Sequence, residues 1–110
     1  MNLPYAERAV VDIKKLRDYS LSDEHEVGKH KARVFRCALG LTAADAEWLR
    51  ELILRAALDR EVVKSSPSPF GEKYVIDIPI VRDERSTVIR TAWLIELGTD
   101  FPRLTSCYVP

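Results

Sequence analysis

Residues 72–97, EKYVIDIPIVRDERSTVIRTAWLIEL, decide how the rest of the chain is read. Tyr74, Ile76, Ile78 and Ile80 alternate with Val75, Asp77 and Pro79, the period-two signature of a strand with two unlike faces. RDERS is a turn, and TVIRTAWLIEL is the strongest strand in the chain. On it Val88, Arg90, Ala92 and Leu94 share one face, and Ile89, Thr91, Trp93 and Ile95 the other. Pro79 cannot donate to a ladder, which puts it at a sheet edge or strand end.

Working outward toward the C-terminus, GTDFP makes a second turn and RLTSCYV a last strand. Toward the N-terminus, KSSPSPFG reads as a loop because of Pro67 and Pro69, and Glu61–Val63 as a short strand. Further back the period becomes helical. Thr42, with Asp45 as its box partner, starts a helix running from Ala43 to about Leu58, with Leu49, Leu52, Ile53 and Ala56 as its buried stripe. Lys29 to Leu39 form another helix, closed by Gly40. Asp12 caps a short amphipathic helix over IKKLRDYSL, and Ser22 to Gly28 form a loop. Residues 7–11 fit a strand or a helical turn equally. Helices followed by a meander give an α+β fold: N-terminal helices packed on one face of a C-terminal antiparallel sheet of three to four strands, one domain over residues 1–110. The other sheet face is left for a ligand or partner.

The chain has 17 Lys+Arg against 17 Asp+Glu, so any grip on nucleic acid must come from a local patch and not from the overall field. No apolar run approaches the roughly 20 residues of a membrane helix, and the first residues do not read as a secretory signal, so a cytoplasmic protein is expected. Cys37 and Cys107 lie far apart, outside any CxxC spacing, and read as two reduced thiols. Two histidines and two cysteines are thin for zinc, and the nucleotide-binding glycine patterns, HExxH and GxSxG are missing from the sequence. Neither metal nor cofactor is expected.

The charge concentrates in GKHKARVF, residues 28–35. On a helical wheel Ala32, Val34, Phe35, Ala38 and Leu39 share an arc, with Lys29, Arg33 and Arg36 opposite, as on an ordinary solvated face. Lys31 lies inside the apolar arc, so its ammonium must snorkel off the helix or meet an acid. It also lies in the first turn, where free N–H groups favour an anion such as phosphate. His30 flanks the arc. Arg90, mid-strand, is read either as the partner of Asp77 on the neighbouring strand or as a phosphate ligand on the open face. Thr105 and Tyr108 fall on opposite faces of a regular strand, and only a bulge or strand end brings them together.

The combination of KLRDYSL, GKHKARVFRCALG, VIRTAW and FPRLTSCYV resembles a small family of uncharacterised bacterial domains found alone or at the C-terminus of polymorphic toxins. That family is often encoded beside a small β-rich protein. Its plan is similar to the barnase–EndoU–colicin–RelE group of metal-independent ribonucleases. The resemblance implies an endoribonuclease-like toxin acting on RNA. His30, Lys31, Arg90, Thr105 and Tyr108 would be its catalytic residues, and Lys29, Arg33, Thr91 and Trp93 its substrate contacts. A single well-placed histidine departs from the acid/base pair common in that group. The alternative is a non-catalytic module, such as an antitoxin, immunity protein or subunit, binding a protein on the open sheet face.

Overall fold

In the computed structural model, residues 1–22, 24–26 and 28–110 are described; Asp23 and Val27, in the expected loop, lie outside them. Four strands form one antiparallel sheet in sequence order: β1 (Lys64–Ser68), β2 (Gly71–Arg82), β3 (Arg85–Glu96) and β4 (Arg103–Tyr108). β2 and β3 pair along all twelve residues, joined at Asp83–Glu84. Asp83 has φ 55°, a left-handed turn conformation that aspartate tolerates. Tyr74, Ile76, Ile78, Ile89, Thr91 and Trp93 bury one face of the hairpin, as the alternation requires.

The structure corrects the KSSPSPFG reading. Residues 64–68 are a strand, and Pro67 is admitted because β1 lies at the sheet edge, paired only with β2. Glu61 makes an isolated bridge to Asn2, so the expected strand at 61–63 is displaced to 64–68. β1 reaches only to Lys64↔Val75, leaving β2 beyond Val75 with β3 on one side only. Pro79 stands on that free edge, where its missing N–H costs no ladder bond.

The register shifts between β3 and β4. Ala92 pairs with Ser106, but Trp93 pairs with Leu104, so Thr105 is the extra residue of a bulge. Leu104 and Cys107 are three positions apart, yet both are fully buried because the bulge returns Cys107 to the helix side. Ser106 and Tyr108 then lie beside Ala92 and Arg90 on the open face.

The helical layer covers the other face. α2 (Lys29–Leu39) buries Ala32, Phe35 and Leu39; Val34, expected in the same arc, is exposed. Gly40, at φ 70°, closes the helix in the left-handed conformation that glycine takes most easily. Thr42 and Asp45 form the capping box of a 3-10 turn, Ala43–Asp45, which runs into α3 (Ala46–Asp59). α3 buries Ala46, Leu49, Ile53 and Ala57, with Leu52 and Ala56 partly buried. The full burial of Phe35 and Trp93 is worth roughly 1.5–3 kcal/mol each. No helix among the described residues is long and apolar enough to cross a membrane.

The N-terminal segment combines both expected conformations. A 3-10 turn spans Ala6–Arg8, after which Val10 bridges Arg103 in parallel. Asp12 caps the next turn, accepting from the Lys14 amide at 2.9 Å, and α1 (Ile13–Lys15) widens into a π turn over Leu16–Ser20. In that turn the Leu21 amide reaches back to the Leu16 carbonyl.

Candidate functional site: a lysine-lined cleft at the bulged edge

The π turn, α2 and β4 meet at the bulge. Tyr19 sits in the π turn, and its ring centre is 5.3 Å from the Lys31 ammonium. The Tyr108 ring is 5.1 Å away from the same nitrogen. Lys31, which the wheel places among apolar residues, thus meets two aromatic faces and, among the described residues, no acid. Turns of this kind recur at functional sites because they redirect a side chain at little cost to the helix.

Tyr108 lies opposite Arg90 in the β3–β4 register. Arg90 Nε and Nη2 donate to the two Asp77 carboxylate oxygens at 2.9 and 3.1 Å, the cross-strand pair that the sequence offered as one of two readings. Hydrogen bonding to Asp77, with the pair's Coulomb attraction and the smaller effect of Tyr108, raises the Arg90 pKa above its ordinary value. Arg90 is therefore a fixed cation beside Tyr108. A continuous row results: Tyr19, Lys31, Tyr108, Arg90, Asp77.

Two cavities flank the Thr105–Ser106 step. One, of about 500 Å³, is lined by Asp12, Lys14, Lys15, Tyr19 and Lys31. The other, of about 370 Å³, is lined by Lys64, Ser66, Lys73, Tyr74, Val75, Ala92 and Trp93. Both share Thr105 and Ser106, so one lysine-lined cleft runs from the α1–α2 side past the bulge and over the open sheet face to β1. Five lysines line it against one carboxylate, Asp12, which is occupied as a helix cap. Among the described residues none of the five makes an ion pair. Lys15 donates only to the Thr105 carbonyl, at 3.5 Å. Thr105 gives its proton to the Ala92 carbonyl at 3.1 Å and keeps its lone pairs for the cleft.

The expected residues divide accordingly. Lys31 and Thr105 line the cleft, and Tyr108 and Arg90 border it through Lys31. Lys29, His30 and Arg33 are exposed on the outer side of α2 and line neither cavity. Thr91 and Trp93, expected as substrate contacts, are buried, although the Trp93 ring backs the second cavity. The Trp93 indole donates to the Thr91 hydroxyl at 2.9 Å, which donates to the Ile76 carbonyl at 2.8 Å, so their polar atoms are spent inside. The α2 N-terminus is also largely taken, since the Gly28 and Lys29 amides donate to His25 Nδ1 and His25 O. A Cβ on Gly28 would sit 2.3 Å from the Tyr19 carbonyl oxygen. Gly28 is thus needed for close packing of the π turn, and it is Lys31 that faces the cleft. Lys14, Lys15, Lys64, Lys73, Tyr19 and Ser106 escaped the sequence reading. The Lys14–Lys15 pair beside a cap was the one local signal; the rest depends on the bulge and on β1 being a strand.

The cleft and its scaffold define an α+β domain with a helical layer on one face of a four-stranded meander and a cationic groove running from the bulge over the other face. Residues 2–110 match DUF6883, a domain of unknown function, and the chain belongs to that family. No curated protein matches it in sequence. The fold is similar to a chain of a solved complex described as a contact-dependent growth inhibition toxin–immunity protein complex from Klebsiella pneumoniae 342. The TM-score is 0.70 and the identity 16%, over 92% of this chain and 99% of that one.

Proposed function

We propose that this domain binds single-stranded RNA in the lysine cleft and cleaves it as a metal-independent endoribonuclease of the toxin type. The observation that carries the proposal is the set of five lysines without carboxylate partners in a chain of zero net charge. Unneutralised lysines around hydroxyls suit a phosphate backbone, whose binding releases counterions. Tyr19 and Tyr108 add aromatic faces for bases. The toxin–immunity complex with the same fold supports the biological setting.

In this reaction the RNA 2′-hydroxyl attacks the adjacent phosphorus, and the 5′-oxygen leaves with a proton. Lys31, held between two rings, stabilises the charge that builds on the phosphoryl oxygens. Tyr108, beside Arg90, gives its phenolic proton to the leaving 5′-oxygen, and the 2′-hydroxyl proton, taken up by water as that oxygen attacks, restores the phenol. Ser106 and Thr105 position the phosphate. His30 lies outside the cleft lining and has no part in this scheme.

Incubation of the purified chain with a fluorescent single-stranded RNA in EDTA tests the proposal. Wild type is expected to give fragments ending in 2′,3′-cyclic phosphate, and Lys31→Ala to slow their appearance about a hundredfold at unchanged melting temperature. RNA left intact by the wild type would remove the enzymatic reading.

A further inference from the structure

The free edge of β2 carries a different groove. It lies between α3 and the half of β2 that β1 leaves unpaired, and its volume is about 740 Å³. Trp48, Leu52 and Ala56 form one wall and Ile78 and Pro79 the other. The Val63 amide donates to the Val75 carbonyl, so on β2 the odd-numbered residues turn their backbone groups to the outer edge. Beyond Val75 these are the N–H and C=O of Asp77, the C=O of Pro79, and the N–H and C=O of Val81. Among the described residues no other segment bonds to them. Pro79 and Val81 are exposed, and Trp48 is 40% exposed.

We infer that this groove receives an extended segment of another protein, which adds to β2 as a strand with alternate aliphatic side chains against the α3 wall. An open row of backbone donors and acceptors calls for an extended backbone, and an apolar wall beside it selects every second side chain. The rim gives the segment a charge. Glu47 and Glu51 line the groove near the end where Arg82 crosses to Asp45 and stacks on Trp48, and Arg55, Asp59 and Arg60 line it further along α3, so only the first end is acidic. The contacts of Glu47 and Glu51 to Arg50 are long, 3.9 and 3.8 Å, so a lysine or arginine in the partner segment finds acceptors there. A second copy of this chain fits less well. Pairing two β2 edges about Pro79 would set two proline carbonyls opposite each other with no N–H between them.

The test uses the full chain and a phage-displayed library of random seven-residue peptides, with the selected sequences synthesised for titration by NMR. Selected peptides should alternate aliphatic and polar residues and carry a basic residue. Their amide shifts should map to residues 76–82 and α3. Val81→Pro removes one outward N–H that the isolated chain does not use, and should weaken binding about three- to tenfold without moving the melting temperature. Glu47→Lys combined with Glu51→Lys should weaken peptides with a basic residue and spare uncharged ones. Failure to select any binder, equal binding to Val81→Pro, shifts confined to the lysine cleft, or self-association through residues 76–82 would each overturn the inference.

Discussion

Two surfaces of the sheet are finished in opposite ways. From the bulge across the open face, five lysines stand without carboxylate partners around hydroxyls and two tyrosine rings. At the β2 edge, an apolar groove is rimmed by carboxylates and arginines beside an open backbone. The side-chain ion pairs of the described residues are made by arginines: Arg8–Asp100, Arg17–Asp18, Arg50 with Glu47 and Glu51, Arg82–Asp45, Arg90–Asp77 and Arg103–Glu96. Arginine's planar fork suits fixed pairing, and the lysines are left as mobile cations. A net charge of zero therefore averages two surfaces of different chemistry, and composition alone cannot tell such a chain from an evenly neutral one.

The largest expected effect separates the tryptophans of the two regions. Trp93→Ala should cost about 3–5 kcal/mol in urea unfolding, because it empties a packed core site. Trp48→Ala, at the half-open groove, should cost less than about 1 kcal/mol. Equal costs would mean that the groove is as closed as the core.

Next comes Gly28→Ala, which forces a Cβ against the Tyr19 carbonyl and should cost about 1–3 kcal/mol. It should also shift the Tyr19 and Lys31 NMR signals while leaving α3 resonances in place.

The capping box gives a pH-dependent contrast on the α3 side. The hydrogen bond from Arg82, and then that from the Thr42 amide, hold the Asp45 carboxyl below its ordinary pKa. A depressed folded-state pKa contributes stability above the unfolded value of about 4, lost as pH falls through the folded one. Asp45→Ala should cost about 1 kcal/mol near neutrality and less at pH 2, read by thermal melts across that range.

The smallest effect on stability sharpens the cleft. Asp77→Asn loosens a partly exposed pair and should change stability by less than about 1 kcal/mol. By freeing Arg90 beside Tyr108 it should raise RNA affinity, measured by fluorescence anisotropy. Unchanged or weaker binding would place Arg90 outside the RNA footprint.

The long hairpin, β4, α2 and α3 were legible because each carries a sustained period or a cap, and the Asp77–Arg90 pair followed from two neighbouring strands. β1 was missed because Pro67 and Pro69 read as breakers, whereas an edge strand tolerates proline. The site was only half legible. Lys31 was conspicuous as a charge on an apolar arc, but its ring partners come from a π turn and from a strand 77 positions further on. Thr91 and Trp93 lie on the face of β3 that the helices cover, so their polar groups pair inside the core, and only the Trp93 ring reaches the cavity wall. The cysteines divide by burial too: Cys37 is exposed, while burial pushes the Cys107 thiol up to about 12.

The salt dependence of RNA binding tests the central claim most directly. With a fluorescent single-stranded RNA, the logarithm of the affinity should fall linearly with the logarithm of salt concentration. Changing Lys15 and Lys31 together to glutamine should flatten that slope by about 1.4, roughly 0.7 for each cation removed. A slope unchanged by both substitutions, or no binding by the wild type at low salt, would contradict the assignment of the cleft.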